Sequence, residues 1–289
     1  MEMKRAREVA IAVAREAGQF IRSKVDRIQQ ISYKSSESDL VTDVDQKAEE
    51  IIRERLLEVF PEHAILGEEG VEPGAEAAKR ALRVAAREEY LWIVDPIDGT
   101  TNFIHGIPFF SVSVAFAVRG VVRLGIVYDP MRDECFIAEK GCGASVNGMP
   151  IYVSEEQTLA ESVVSTGFSG LKKHHCESKK KGVFALTGQV RNMRNLGSAA
   201  LELAYVAAGR MSGYWEIDLN AWDVAAGGLL VREAGGRVSD TLGEPFDLNV
   251  RNVLGTNGHI HKQVLRTLQE VGATGYENST KKDTHMKGD

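Results

Sequence analysis

The sequence predicts a mixed chain of the α+β or α/β class, with an antiparallel sheet built from the first half and a mostly parallel sheet from the second. Three observations carry this expectation. Near the N-terminus Val9, Val13, Ala17, Phe20, Lys24 and Ile28 recur every three or four positions, the spacing of one helical face. Over residues 108–153 the rhythm changes to period two, with Val112, Val114, Phe116 and Val118 alternating with Ser111, Ser113, Ala115 and Ala117. Beyond residue 155 strand-like and helix-like runs alternate, the pattern of a sheet with helices on its faces. With 289 residues, 43% of them hydrophobic, the chain can bury a large core as one big domain or two closely packed ones.

Taken in order, residues 3–28 form a long helix with one apolar stripe. Thr42-Asp43-Val44-Asp45 has the form of a capping box ahead of Ala48, Ile51, Ile52, Leu56 and Val59, so a second helix starts there and ends at Pro61. Ala64–Leu66 reads as a short strand, and Gly74–Glu89, rich in Ala, Arg and Glu, as a surface helix or insertion. Tyr90–Val94 is apolar and β-prone, a core strand that Pro96 stops because proline cannot donate to a sheet ladder. Ser111–Val118, Val121–Tyr128 and Cys135–Glu139 follow at hairpin distances, and Asn147-Gly148 closes this antiparallel meander. Then come a strand at Ser162–Thr166, a polar helix near 174–187, a strand at Val190–Asn195 and a helix at Ser198–Ala208. Gly213–Ile217, Trp222–Glu233, Arg237–Ser239, Val253–Thr256 and His259–Val271 continue the alternation. The pattern places an N-terminal α+β subdomain at 1–153, a C-terminal α/β subdomain at 154–274 and a disordered tail at 275–289, where hydrophobic residues all but vanish.

A formal net charge of −6 argues against a general nucleic-acid surface. Lys172, Lys173, Lys179, Lys180 and Lys181 form the one notable basic cluster and read as a solvated face. Three cysteines, Cys135, Cys142 and Cys176, fit no zinc spacing and leave one unpaired in any disulfide scheme, which points to a reducing compartment. The charged N-terminus lacks the apolar core of a secretory signal, and no segment approaches the ~18 consecutive apolar residues of a membrane span. The expected location is cytoplasmic.

Chemistry concentrates in acids. Asp95 and Asp98 flank Pro96 at a strand end. At a spacing of ~4 Å they would repel by ~4 kcal/mol at an effective dielectric near 20. A hard divalent cation that takes oxygen ligands at ~2.0 to 2.6 Å turns that repulsion into attraction. Glu68 and Glu69 sit between glycines after the short strand at 64–66, where a charged turn is the plainer reading taken alone. Asp45 alone reads as a helix cap. Asp223, in Trp222-Asp223-Val224-Ala225-Ala226-Gly227, opens an apolar helix of small residues, where dipole stabilisation and function weigh about equally.

Together, Trp92-Ile93-Val94-Asp95-Pro96-Ile97-Asp98-Gly99-Thr100-Thr101-Asn102-Phe103, Trp222 to Gly227, Gly67-Glu68-Glu69 and Asp39-Leu40-Val41-Thr42 resemble the signatures of the inositol monophosphatase family of magnesium-dependent, lithium-sensitive phosphatases, over nearly the whole folded chain. The resemblance implies a layered αβαβα sandwich of the inositol monophosphatase/fructose-1,6-bisphosphatase type and a homodimer. It implies two to three Mg²⁺ ions held by Glu68, Asp95, the Ile97 carbonyl, Asp98 and Asp223, with Asp95 bridging two. Oxygen ligands without His or Cys suit Mg²⁺ rather than zinc. It further implies catalytic roles for Glu68, Thr100 and Asp45, with Thr100, backed by Asp45, orienting the attacking water. The phosphate would be held by the backbone of Gly99 and Thr100 at a helix start. The substrate site would draw on Glu68, Ile97, Asp98, Gly99, Thr100 and Asp223, with Gly197, Ser198, Ala199 and Glu216 on the polyol side. The implied reaction is hydrolysis of myo-inositol 1-phosphate or a close relative by in-line attack of water.

Other motifs fail. Gly141-Cys142-Gly143 starts like a dinucleotide fingerprint, but Val146 stands where the third glycine belongs. No P-loop is present, and Gly167-Phe168-Ser169-Gly170 falls one residue short of a nucleophile elbow. His174, His175 and Cys176 lie among lysines and read as solvated. The alternatives are a fructose 1,6-bisphosphatase, a nucleotide 3′-phosphatase, or a noncatalytic interaction protein using the lysine cluster.

Overall fold

The computed structural model describes residues 2–31, 37–168 and 173–276, with side chains over 3–25, 43–168 and 177–276. Helices α1 (Glu2–Ile31) and α2 (Glu37–Val59) pack on each other and on one face of a seven-stranded sheet. The periodic residues Ala6, Ala10, Val13, Ala17 and Ile21 are buried together with Ala48, Ile52 and Leu56 of α2 and with Trp92, Val112 and Val114 of the sheet. A stripe three to four residues apart can meet a flat sheet along its whole length, which is why both helices lie across it.

The chain continues through β1 (Ala64–Gly67), α3 (Ala75–Ala85), β2 (Tyr90–Asp98), α4 (Thr100–Ile104), β3 (Ser111–Val118), β4 (Val121–Asp129), β5 (Glu134–Glu139), β6 (Gly143–Val146) and β7 (Met149–Ile151). These strands form the first sheet in chain order, antiparallel throughout except that β1 pairs in parallel with β2. Asn147 and Gly148, with φ of 48° and 82°, turn the β6–β7 hairpin where the sequence places it.

The second half runs β8 (Val163–Thr166), α5 (Lys173–Thr187), β9 (Asn192–Arg194), α6 (Ala199–Ala207), β10 (Gly213–Glu216), α7 (Ala221–Glu233), β11 (Arg237–Asp240), β12 (Val253–Thr256) and α8 (His261–Glu270). Its five strands lie in the order β11-β12-β10-β8-β9; β9, β8 and β10 are parallel, and β12 alone is reversed, antiparallel to β10 on one side and to the edge strand β11 on the other.

Helices α6 and α7 are sandwiched between the two sheets, while α5 and α8 pair on the outer face of the second, giving the layers αβαβα. Close approach depends on small residues. A methyl on Gly227 of α7 would stand 2.6 Å from the Leu203 Cβ of α6, and one on Gly125 of β4 would stand 2.8 Å from the Ala226 carbonyl oxygen. The core around α6 and α7 draws on both sides of residue 153, from Ile93 and Phe136 to Tyr214 and Val253.

Several local expectations are corrected. α2 begins at Glu37, so Thr42 and Asp45 lie inside a helix rather than at its cap. Pro96 does not end β2. The strand runs to Asp98, and the register with β3 shifts between Asp95 and Asp98, so the proline sits in an irregularity where its missing N–H breaks no ladder. The second sheet's edge strand is shorter than 190–195. Tyr276, placed in the tail, donates its hydroxyl to Asp240 at 3.3 Å, and residues 277–289 lie outside the described residues. So do the side chains of Asp39–Thr42, Lys172, Lys173, His174, His175 and Cys176. Among the described residues no helix is long and apolar enough to cross a membrane.

Candidate active site

The end of β2, the loop after β1 and the start of α7 converge. Glu68, Asp95 and Asp223 each present a carboxylate oxygen within 4.8 Å of the others, and Asp95 is wholly buried. β1 runs parallel to β2, with Gly67 opposite Val94, so the loop after one strand emerges beside the carboxylate of the other, and Glu68 N–H donates to the Val94 carbonyl at 3.2 Å. Asp223 arrives from across the molecule, fixed by the Asn220 N–H on its Oδ2 at 2.7 Å. That leaves Oδ1 for another partner.

The arrangement holds protons at neutral pH. Burial, then Glu68, Asp98, Asp223 and Asp45, raise the Asp95 carboxyl well above the usual carboxylate range. Burial and Glu69, Asp98 and Asp45 push Glu68 to about 8, burial and Glu69 push Asp45 to about 8, and burial and Glu68 raise Asp223 strongly. Asp95 Oδ1 is buried without a hydrogen-bond partner. Orphaned buried oxygens are rare and demand a partner. Among the described residues no nitrogen or sulfur ligand joins these three clustered carboxylates, a donor set that suits a hard divalent cation such as Mg²⁺.

Asp98 is placed differently from the other three. Its Oδ2 accepts from Ser198 Oγ at 2.5 Å and Ala200 N at 2.7 Å, and its Oδ1 from Ala199 N at 3.2 Å, so it sits on the first turn of α6. Burial raises its carboxyl to about 6 despite these bonds. Ser198, expected against the substrate, is buried and spends its hydroxyl on Asp98, a consequence of α6 pointing its N-terminus at that acid. The Thr100 hydroxyl donates to the Ile97 carbonyl at 3.0 Å, not to Asp45, which lies on α2 beside Glu69.

A cleft of about 690 Å³ opens over this cluster. Glu68, Asp95, Ile97, Asp98, Gly99, Thr100, Gly197, Ala199, Glu216 and Asp223 all reach its wall, while Ser198 and Asp45 do not. Gly99 has φ 101°, and a methyl there would come within 3.0 Å of the Gly197 carbonyl oxygen, so the turn into α4 admits only glycine.

Sequence reading missed the residues that hold these loops. Glu49 is buried and accepts from Glu69 N at 2.9 Å and from Arg53 Nε at 2.7 Å, and a methyl on Gly67 would collide with its carboxylate. Asn102 donates from Nδ2 to the carbonyls of Phe109 and Leu196, each at 2.6 Å, tying the two halves together under the cleft. Glu202 accepts from Leu196 N at 2.8 Å. Arg251 reaches the Asn220 side chain and, at 3.1 Å, the Asp218 carbonyl. Only Glu49 left a signal, four residues after Asp45 and four before Arg53 on one helix face. The others act across long separations. Lys179, expected in a solvated face, is buried beside Glu216.

A sequence model described as the inositol monophosphatase family matches residues 2–273. The chain is 40% identical over 266 residues to a Pseudomonas aeruginosa protein named Nus factor SuhB, covering 90% of this chain and 94% of that one. It is 40% identical over 264 residues to the inositol-1-monophosphatase of Rhizobium meliloti, covering 90% and 95%. The solved inositol monophosphatase from Anabaena superposes with a TM-score of 0.81 at 35% identity, over 94% of this chain and 98% of that one.

Proposed function

The chain belongs to the inositol monophosphatase family, and from that premise we propose that it is a Mg²⁺-dependent phosphomonoesterase that hydrolyses myo-inositol 1-phosphate or a closely related inositol monophosphate. The observation that carries the proposal is the partnerless, fully buried Asp95 Oδ1 among the carboxylates of Glu68 and Asp223 at the base of the cleft.

Glu68, Asp95 and Asp223 would hold the metal, with the Ile97 carbonyl and Asp98 contributing the nearest further oxygens. Asp98 has more to offer through Oδ1, which carries only a 3.2 Å bond, than through Oδ2. Bound there, Mg²⁺ supplies the positive charge that neutralises phosphoryl oxygens and makes water acidic enough to attack at neutral pH. The chain's own residues do the rest. The turn Gly99-Thr100 brings backbone to the cleft wall, where a phosphate can lie against N–H groups. The Thr100 hydroxyl, one bond from the Ile97 carbonyl, is within the same shell of oxygens and would orient the nucleophile. Glu216, Gly197 and Ala199 line the other end and would receive the alcohol, Glu216 by accepting hydroxyl hydrogens.

Purified protein should release phosphate from myo-inositol 1-phosphate only with Mg²⁺, and faster than from fructose 1,6-bisphosphate or adenosine 3′,5′-bisphosphate. Turnover that survives chelation, or none on any of the three, sinks the proposal. The name of the Pseudomonas aeruginosa relative supports a second reading, a noncatalytic interaction role, and the same assay separates the two.

A further inference from the structure

Helix α3, which the sequence marks as a surface helix or insertion, walls a second cavity. α3 packs on β1, and between them, with Arg53 of α2 reaching in, lies a hollow of about 510 Å³ that shares no residue with the cleft. Most of its wall is apolar, from Ile65, Leu66 and Val71 to Ala81 and Ala85, and Val84 beside them is 65% exposed.

Two guanidinium groups line this apolar hollow. Arg53 gives its Nε to Glu49 at 2.7 Å, while its Nη2 has only the Ile65 carbonyl at 3.5 Å, too long for a good bond, and its Nη1 has no partner among the described residues. The two Nη groups, the end-on edge of the fork, are therefore left to the cavity. A methyl on Gly70 would stand 3.0 Å from Nη2, so glycine keeps that edge open. Arg80 of α3 is exposed and makes no hydrogen bond or ion pair among the described residues. Glu76, which feels its charge from one turn earlier, is bonded to Lys79 at 3.1 Å. Glu88 is the one carboxylate among the lining residues, so two cations face one acid. A volume in the ligand range, mostly apolar walls and a few convergent polar groups are the features of a small-molecule site. A free guanidinium edge matches a carboxylate bidentately.

The hollow also lies directly behind the acid cluster. Gly67 and Gly70 in its wall bracket Glu68 and Glu69, and Glu49, the partner of Arg53, accepts the Glu69 N–H at 2.9 Å.

We propose that this hollow is an effector site for a small organic acid, a carboxylate on a ring or branched apolar body, held between Arg53 and Arg80, and that its binding tightens the grip of the acid cluster on Mg²⁺. The sign follows from charge. Arg53 is already balanced by Glu49, so an added anion leaves net negative charge beside the loop that carries Glu68, which attracts a cation there. Coupling is reciprocal, so Mg²⁺ raises the affinity for the acid by the same factor. The binding half stands apart from the phosphatase reading; the coupling half rests on its metal site.

The test uses the full chain, first in chelator, where no cation draws an anion into the cleft. 4-Fluorobenzoate is the probe, followed by fluorine NMR, with 4-fluorobenzyl alcohol as its uncharged counterpart. The acid should bind, and the alcohol should bind at least about tenfold more weakly, the loss expected when hydrogen bonds to a charged group are missing. Arg80→Ala should raise the Kd of the acid about tenfold, and Val84→Asp, which adds a negative charge beside it, by as much. Both positions are exposed, so neither change threatens the fold. Arg53→Gln should abolish binding, with its melting temperature read alongside because it unpairs buried Glu49. Calorimetric titration with Mg²⁺ at a probe concentration that saturates only the wild type should show the ion bound about fivefold more tightly than without probe, and a smaller gain in Arg80→Ala. Equal binding of acid and alcohol, no binding of the acid, or a Kd unchanged in Arg80→Ala and Val84→Asp would overturn the site. An Mg²⁺ affinity that is unchanged or lowered by the probe would overturn its effector role. If Mg²⁺ does not bind at all, the metal reading fails, and the NMR titrations of wild type and Arg80→Ala still decide whether the hollow takes an anion.

Discussion

Asp95 is the residue on which most of the chemistry turns. It is fully buried, in contact with several other acids and short of one partner, a combination that costs stability unless protons or a cation occupy it. Replacing it by asparagine removes one of the crowded charges while keeping shape. Asp95→Asn should therefore abolish Mg²⁺-dependent hydrolysis while the metal-free protein melts no lower than wild type. The Mg²⁺-induced rise in melting temperature should vanish as well. Marked unfolding of the metal-free variant would show that Asp95 serves the fold rather than the site. Asp98 makes a contrast at the same scale. Three hydrogen bonds from the first turn of α6 give it a structural partner the other acids lack, so it is the carboxylate of the group with the most ordinary titration, at about 6.

At the level of elements, the site exists because two strand ends and two helix starts are aimed at one point. The parallel pairing of β1 with β2 sets Glu68 beside Asp95, and the layer of α6 and α7 between the sheets delivers Asp98's capping partners and Asp223. Asn102 of α4 is the fastening between halves. Asn102→Ala would leave the Phe109 and Leu196 carbonyls without their donor in a buried place, an expected cost of about 2 to 3 kcal/mol in denaturant unfolding. Because the Leu196-Gly197 loop lines the cleft, KM for the polyol phosphate should rise too. A variant of wild-type stability would show that the fastening is elsewhere. α2 teaches the opposite lesson: its apolar stripe was legible from Ala48 to Val59, yet its start was not, since a capping-box pattern at Thr42 is only local chemistry and the helix continues upstream to Glu37.

For the molecule as a whole, the acid cluster makes stability depend on pH and metal together. Burial and neighbouring acids push Glu68 and Asp45 to about 8 in the folded protein and burial pushes Asp98 to about 6, against ordinary values of 4.5 for Glu and 3.8 for Asp in an unfolded chain. Between those limits the folded state binds more protons, so their stabilising contribution is complete below about pH 4 and is lost as pH rises through 6 to 8. Buried His261, lowered to about 4, works the other way and costs stability as pH falls below the ordinary histidine value of 6.5. From pH 6.5 to 8 the carboxyls therefore act alone of these groups, and the metal-free protein should lose stability at up to about 1.4 kcal/mol per pH unit for each proton released. Saturating Mg²⁺, which takes the place of those protons, should flatten or reverse the slope and stabilise by about 2.7 kcal/mol at one hundred times its Kd. Thermal melts at three pH values, with and without chelator, measure both. A metal-free protein that gains stability toward pH 8 would contradict the proton-filled cluster.

What the sequence determined by itself was everything carried by short-range pattern. Helical stripes, the two-residue alternation of β3 and β4, the Asn147-Gly148 turn and the acids at strand and helix ends are all written in neighbouring residues, because periodicity and turn chemistry are local properties. The tertiary structure decided which acids meet and what each one spends its oxygens on. It drew Glu68, Asp95 and Asp223 together but turned Ser198 onto Asp98, and it carried Lys179 from a basic run on α5 to the back of Glu216. No pattern in a run of lysines says which one is buried, since that follows from the packing of α5 across the second sheet and from a carboxylate many residues away that makes the buried charge tolerable.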